Sequence, residues 1–324
     1  MVDSVSQEET VPNLEDWGKG INRDRIVVLG RRSAGKTVYL SLLYDRLWRA
    51  DGDLSMKALE GVHHTEFIKT AAELRQGKWP PATQNISQSF VEVKYGGHDK
   101  LMVVLDYPGE LFTNAFVKEA QSEEIRVLLD HIDHAEALIL LVDPAQVVGE
   151  DIDAIIDNDF GIVQALSRVR NWAEGNTIPV VLVFTKFDEG RHILKKHGGA
   201  SAFVKKFFPR LVAVASTLRI CKVSAVQVCR DENGKAVPRK EFAPVNLENP
   251  LVYCLKVIKD HDEVKDRAKK QKEYARLVEQ IELKTKTQYV LLLIGLFLLF
   301  LALVALVIEI LPHSTWRNIL DNLF

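Results

Sequence analysis

The chain lacks the residues that would cross-link it or hold a structural metal. Its three cysteines, Cys221, Cys229 and Cys254, form no C-x-x-C pair and stand beside no histidine cluster. This excludes a disulfide framework and a cysteine–histidine zinc site, and points to a reducing compartment. An excess of one charge is also missing. Lys and Arg number 42 and Asp and Glu 44, for a net charge of −2. No global basic field is therefore present to hold nucleic acid. Residues 1–22, MVDSVSQEETVPNLEDWGKGIN, contain neither a basic start nor an apolar core. They read as a flexible leader rather than a secretory signal.

Uncharged sequence is concentrated near the other end. Residues 289–308, YVLLLIGLFLLFLALVALVI, run for 20 positions without a charge, about the 20 residues a helix needs to cross a hydrocarbon core. A buried core helix of this length normally keeps a polar stripe, and this one has none. Within the 20 residues before it lie six basic ones, Lys269, Lys270, Lys272, Arg276, Lys284 and Lys286, and only Arg317 follows. The positive-inside rule then predicts a single-pass, tail-anchored chain whose N-terminal part faces the cytoplasm. The expected segments are a leader at 1–22, a globular domain at 23–261, a charged helical stalk at 262–288, a transmembrane helix at 289–311 and a tail at 312–324. In the stalk, Leu277 and Ile281 could begin an apolar seam, too short by themselves for a coiled coil. A buried oligomeric helix is the alternative for 289–308.

Runs rich in Val, Ile and Leu at 25–29, 89–95, 101–106, 137–142 and 179–185 read as strands. Helical patterns fall between them at 36–50, 111–131, 152–173 and 202–217. The alternation predicts an α/β fold, a mainly parallel sheet with helices on both faces. Residues 54–78 read as an inserted helical segment ended by KWPP, and Asp231–Glu232–Asn233–Gly234 carries an Asn-Gly hairpin signal.

Two stretches carry phosphate chemistry. GRRSAGKT, Gly30 to Thr37, directly follows the first strand and matches the phosphate-binding loop G-x-x-x-x-G-K-T. Glycines at Gly30 and Gly35 allow close approach, and the N–H groups over Ser33, Ala34, Gly35, Lys36, Thr37 and Val38 would hold phosphate oxygens. Lys36 would reach the outer phosphates and Thr37 would ligate Mg²⁺. LDYPGE, Leu105 to Glu110, ends another strand. There Asp106 is placed to hold Mg²⁺ through water, and Gly109 to offer its N–H to a γ-phosphate.

The third stretch is VLVFTKFDEG, Val181 to Gly190, which sets T-K-x-D after the most apolar strand. With this order of motifs the chain resembles the P-loop GTPases of the translation-factor and Ras-like (TRAFAC) class over about residues 25–261. Within that class, GKTVYL, the D-x-P-G-E turn and the C-terminal hairpin most resemble the bacterial double-GTPase group. The resemblance implies a three-layer P-loop NTPase fold with GTP or GDP and Mg²⁺ as ligands. It implies that Asp188 reads the guanine N1–H and 2-amino group, with Thr185 and Lys186 supporting it. Adenine lacks that donor pair, so GTP is favoured over ATP. It further implies a Mg²⁺-binding threonine ahead of the second strand, for which Thr83 is preferred over Ser87 and Ser89. The base-contacting S-A-x motif would be Ser224–Ala225–Val226, although CKVSAVQVC suits mid-strand equally well.

Members of the class often place Gln or His after D-x-x-G to orient water, and here the residue is Glu110. Glu110, Arg32 and Thr83 are therefore the candidate catalytic residues. Arg31 and Arg32 either point outward, lean over the phosphates, or pair with Glu110. The expected function is a membrane-anchored GTP switch with slow or partner-stimulated hydrolysis and a protein effector. The alternatives are a non-hydrolysing GTP-binding scaffold or effector, and, less favoured, a membrane-bound P-loop ATPase.

Overall fold

The computed structural model describes residues 25–31, 33–81, 87–106, 109–169 and 178–310. The chain divides into two units, Met1–Asp260 and His261–Phe324. The first opens with β1 (Arg25–Gly30), α1 (Lys36–Leu47), β2 (Leu54–Ala58), α2 (Gly61–Arg75), β3 (Ser87–Tyr95) and β4 (His98–Asp106). It continues through α3 (Gly109–Phe116), α4 (Glu123–Asp133), β5 (Ala135–Val142), α5 (Pro144–Gly149), α6 (Ile152–Arg168) and β6 (Val180–Phe184). Then come α7 (Phe187–Lys196), α8 (Ala200–Phe207), α9 (Pro209–Val214), β7 (Leu218–Lys222), β8 (Val228–Arg230), β9 (Ala236–Pro238) and α10 (Asn249–Ile310).

Strands β1, β5, β6 and β7 form a parallel sheet in that order. Strand residues alternate between its two faces, as the two-residue side-chain period requires. Val27, Leu138, Leu140, Leu182 and Phe184 join one core with Ile125, Leu128, Ile162, Leu166 and Phe203 from α4, α6 and α8. Val28, Ile139, Leu141, Val181 and Val183 join the other with Tyr39, Leu43, Leu74, Leu251 and Leu255 from α1, α2 and the start of α10. With both faces covered, the strands carry continuous apolar runs, and β6 (VVLVF) is buried along its whole length. The result is the expected three-layer α/β fold. β4 packs beside β1 and belongs to an antiparallel sheet ordered β2-β3-β4.

Several expected boundaries shift for identifiable reasons. Leu54–Ala58, expected as helix, is a strand pairing antiparallel with β3 from Leu54↔Tyr95 to Ala58↔Val91. Its Met56 enters the core while neighbouring Lys57 faces outward, so pairing with the β3–β4 hairpin outweighs its weak local helical pattern. The helix expected over 111–131 divides into α3 and α4, where Ser122 caps α4 by accepting from the Ile125 N–H at 3.2 Å. The helix expected over 202–217 divides into α8 and α9 at Pro209, which stands in the first turn of α9. The Asn-Gly hairpin forms as expected: β8 and β9 pair, and Gly234 has φ 76°.

The segment α1–β2–α2 is tied together by one hydroxyl. Tyr44 Oη accepts from the Ala58 N–H at 3.2 Å and lies 2.7 Å from His64 Nδ1. Burial raises the Tyr44 pKa, so the hydroxyl stays protonated.

In the second unit, His261 to Ile310 is helical as part of α10. Its apolar residues from Tyr289 to Leu306 that are described lie exposed. The helix is long and apolar enough to cross a membrane.

Tyr44→Phe is expected to lower stability by about 1–3 kcal/mol by leaving the Ala58 N–H and His64 without their partner. Urea unfolding of the detergent-solubilised chain checks this; an unchanged midpoint would mean that water replaces the hydroxyl at no cost.

Candidate functional site

All loops that follow the parallel strands emerge at one edge of the sheet, where open α/β sheets bind ligands. The first is the loop after β1. Gly30 pairs with Leu141 of β5, and a Cβ there would lie 2.9 Å from the Leu141 carbonyl oxygen and 3.2 Å from its Cβ. Glycine is thus demanded by strand contact rather than by a turn. Ser33 (φ 64°) and Gly35 (φ 83°) adopt left-handed backbone on either side of Ala34. The Ala34 N–H donates to the Arg31 carbonyl at 3.2 Å, and Gly35 caps the start of α1. Such a loop feeding a helix N-terminus turns successive N–H groups into an anion-binding concavity. Lys36 is buried, and its Nζ donates to the carbonyls of Gly30 (3.1 Å) and Arg31 (3.4 Å). Thr37 and Val38 follow in the first turn of α1.

The loops after β6 and β7 meet at the same edge. Buried Thr185 donates twice to the Val142 carbonyl, through its N–H at 2.9 Å and its Oγ1 at 3.2 Å. Lys186 has left-handed backbone (φ 49°), which starts α7 and places Asp188 in its first turn. Ser224, left open in sequence between a base-contacting loop and a strand interior, lies beyond the end of β7. Its backbone exchanges hydrogen bonds with Val245 at 3.2 and 2.8 Å. Ser224 Oγ donates to Asp188 Oδ1 at 2.7 Å, and the Phe187 N–H donates to the Val223 carbonyl at 3.1 Å. Ala225 follows in the same loop, half-buried. The structure therefore brings Asp188, Ser224 and Ala225 together although 36 positions separate the first two.

Asp106 ends β4, and Gly109 and Glu110 begin α3. Arg32 and Thr83 lie outside the described residues.

Two carboxylates that the sequence reading missed flank α5. Asp143 caps α5, its Oδ1 accepting from the Ala145 N–H at 2.9 Å, while its Oδ2 accepts from Lys186 Nζ at 2.7 Å. The available signal was V-D-P: an Asp ending an apolar strand with Pro at the first helical position. Glu150 follows α5 and accepts from Arg31 Nη1 at 2.7 Å. Arg31 thus pairs with Glu150 while keeping partial exposure, and no local pattern announces this partner 119 positions away. Beneath the phosphate loop, Gly30, Ala34, Leu141, Gln146 and Asn158 line a cavity of about 20 Å³, space for roughly one water.

Burial raises the Glu150 pKa, and Arg31 opposes this only in part. A carboxyl whose folded pKa is raised favours folding at low pH and loses that contribution as pH rises through the folded value. Glu150→Gln is therefore expected to gain stability relative to the native chain as pH rises from about 4 to 7, the range above the ordinary carboxylate value. Thermal unfolding at several pH values checks this. A difference that shrinks with rising pH would show that the Arg31 pair outweighs burial.

A phosphate loop and a T-K-x-D loop joined to a serine loop, on one edge of a parallel three-layer sheet, define a P-loop GTPase. The family model Double-GTPase 2 matches residues 24–241, and the chain belongs to that family. No curated protein sequence matches it. Solved structures similar to it include a bacterial selenocysteine-specific elongation factor EF-Sec, at 17% identity and TM-score 0.36, covering 72% of this chain and 29% of that one. The ADP-ribosylation factor-like protein SAR1 from Encephalitozoon cuniculi, in complex with GDP, is 14% identical with TM-score 0.33, over 63% of this chain and 70% of that one. The signal recognition particle receptor SRb-GTP/SRX complex from Chaetomium thermophilum is 14% identical with TM-score 0.35, over 63% and 92%. The chain thus spans less than a third of the elongation factor, and these distant likenesses carry no weight beside the family match.

Proposed function

We propose that this protein is a GTP-binding switch held to a membrane by its C-terminal helix. One observation carries the nucleotide assignment: the Ser224 hydroxyl orients Asp188 at the same sheet edge as the phosphate loop. Asp188 accepts the guanine N1–H and 2-amino donors, and Ser224 holds the carboxylate in place for them. With adenine the carboxylate would lose those donors, a cost of about 1–3 kcal/mol or more. Ala225 supports the base with its loop backbone, while Thr185 fixes the β6 end and Lys186 lies along the base loop. The N–H groups from Ser33 through Val38 hold the phosphates, with Gly30 permitting the strand contact and Lys36 supplying a positive charge.

The left-handed nest and the hydroxyl in the first turn of α1 fit a phosphate-bound Mg²⁺. Thr37, Asp106 and Thr83 would hold that ion, which supplies positive charge to phosphate oxygens when bound. Gly109 offers its N–H to the γ-phosphate. Glu110 stands where a neutral water-orienting side chain is usual, and a carboxylate there is repelled by phosphate charge. Turnover is accordingly slow or dependent on a partner that supplies the missing group; Arg32 is the candidate within the chain. A protein effector reads the loops near Thr83 and Glu110, which change order with the γ-phosphate. A scaffold that binds GTP without turnover is the second reading, favoured by Glu110, and phosphate release distinguishes the two. In this reading the nucleotide domain, about 23–261, faces the cytoplasm, which the basic residues before 289–308 support.

Lys36→Ala is expected to abolish GTP binding in a titration of the purified chain; unchanged affinity would overturn the nucleotide assignment. Asp188→Asn is expected to shift preference from guanosine to xanthosine nucleotides, and Ser224→Ala to weaken GTP binding about 5- to 10-fold, the net worth of about one ordinary hydrogen bond. If neither substitution alters guanine preference, Asp188 does not read the base.

A further inference from the structure

We propose that the stalk and the apolar helix form a single seam that pairs with a second copy of this chain in parallel. Among the exposed apolar side chains of the stalk, which also include Val264, Leu277 and Leu283, three share one face of the helix: Tyr274 (72% exposed), Val278 (39%) and Ile281 (63%). Their spacing of four and then three residues is the a/d repeat of a two-helix seam. The same repeat continues without a break through Thr285, Gln288, Leu292, Gly295, Leu299 and Ala302, all in helical conformation.

Lipid accounts for the exposure of the later residues but not of the first three. Ile281 lies eight positions before Tyr289, about 12 Å along the axis, and Tyr274 about 22 Å. Those side chains stand in water above the hydrocarbon, and because they share one face an apolar protein surface can cover them together. A stripe of three or four apolar residues does not make a stable coiled coil alone. Continuation into the bilayer changes that balance. There Gly295 and Ala302 fall on the seam, where small residues let two helices approach closely. Gln288 falls on it at the junction, where its amide can hydrogen-bond to its counterpart.

Charge arrangement points to the same occupant. Lys265, Lys269, Lys272 and Arg276, spaced four, three and four apart, form a basic stripe on the side of the helix opposite Tyr274, Val278 and Ile281. Two copies meeting along the apolar side keep these stripes apart and turned outward. Pairing along the basic side would set like charges face to face. Only another copy, anchored in the same membrane, presents this repeat at the same height and direction, and confinement to one bilayer raises its effective concentration.

The parallel direction rests on the membrane reading of 289–308, which alkaline extraction of membranes tests by itself. The seam is tested by disulfide cross-linking of single cysteines in the full-length chain in membranes, on a Cys229→Ser background that removes the exposed native thiol. Val278→Cys and Ile281→Cys are expected to link about tenfold more than Arg276→Cys and Leu283→Cys, on the outer side. Equal linking at all four positions, or more at 276 and 283, would overturn the proposal. In detergent, Ile281→Asp is expected to lower the dimer fraction about tenfold while Leu283→Asp, an equally apolar position off the seam, leaves it unchanged. A loss with both, or with neither, would also overturn it.

Discussion

The nucleotide edge depends on the register of three buried parallel strands. Leu29 and Gly30 of β1 stand beside Leu140 and Leu141 of β5, and Val142 of β5 beside Phe184 of β6. Shifting one strand by a single residue would exchange its two faces and put its side chains into the wrong core. It would also move the loop that follows. Register is therefore held by two cores at once, each closed by helices. The tight contact of Gly30 with the Leu141 carbonyl shows how little freedom remains at that edge. Only against such a fixed base can the left-handed residues Ser33 and Gly35 keep their loop in one shape.

A second layer of order comes from α5. It is one short helix, yet its flanking carboxylates reach both ends of the site, Asp143 to Lys186 and Glu150 to Arg31. The two ion pairs differ in physical character. Asp143 also caps α5, so its charge is stabilised by a backbone N–H as well as by an ammonium. Glu150 has the Arg31 guanidinium against its desolvation, and burial dominates its pKa. Arg31 is thereby directed under the loop. Of the two arginines in GRRSAGKT, it serves the architecture of the phosphate loop.

The second unit follows a different physical logic. The first unit buries an apolar core on both faces of a sheet, whereas the described apolar side chains of the helix from 264 to 306 lie outward. Over 289–308 a membrane would supply the cover, and in the stalk the proposed partner helix would. A seven-residue repeat that runs from the stalk into the apolar stretch suits the proposed association, because lipid and partner would each cover a different part of one surface.

The sequence by itself determined the strand-and-helix alternation, the phosphate loop, the T-K-x-D stretch and the uncharged C-terminal run. Each is encoded in neighbouring residues through side-chain periodicity, glycine at fixed spacing or the absence of charge over a helix length. Tertiary structure alone decided the rest. Leu54–Ala58 became a strand because β3 offered it a partner, and Ser224 left the strand interior because β7 stopped two residues before it. Asp188 found its hydroxyl donor 36 positions away and Arg31 its carboxylate 119 positions away. Contacts of that kind carry no local signal. They exist only after the parallel strands are in register, since register is what carries residues far apart in sequence to the same edge of the sheet.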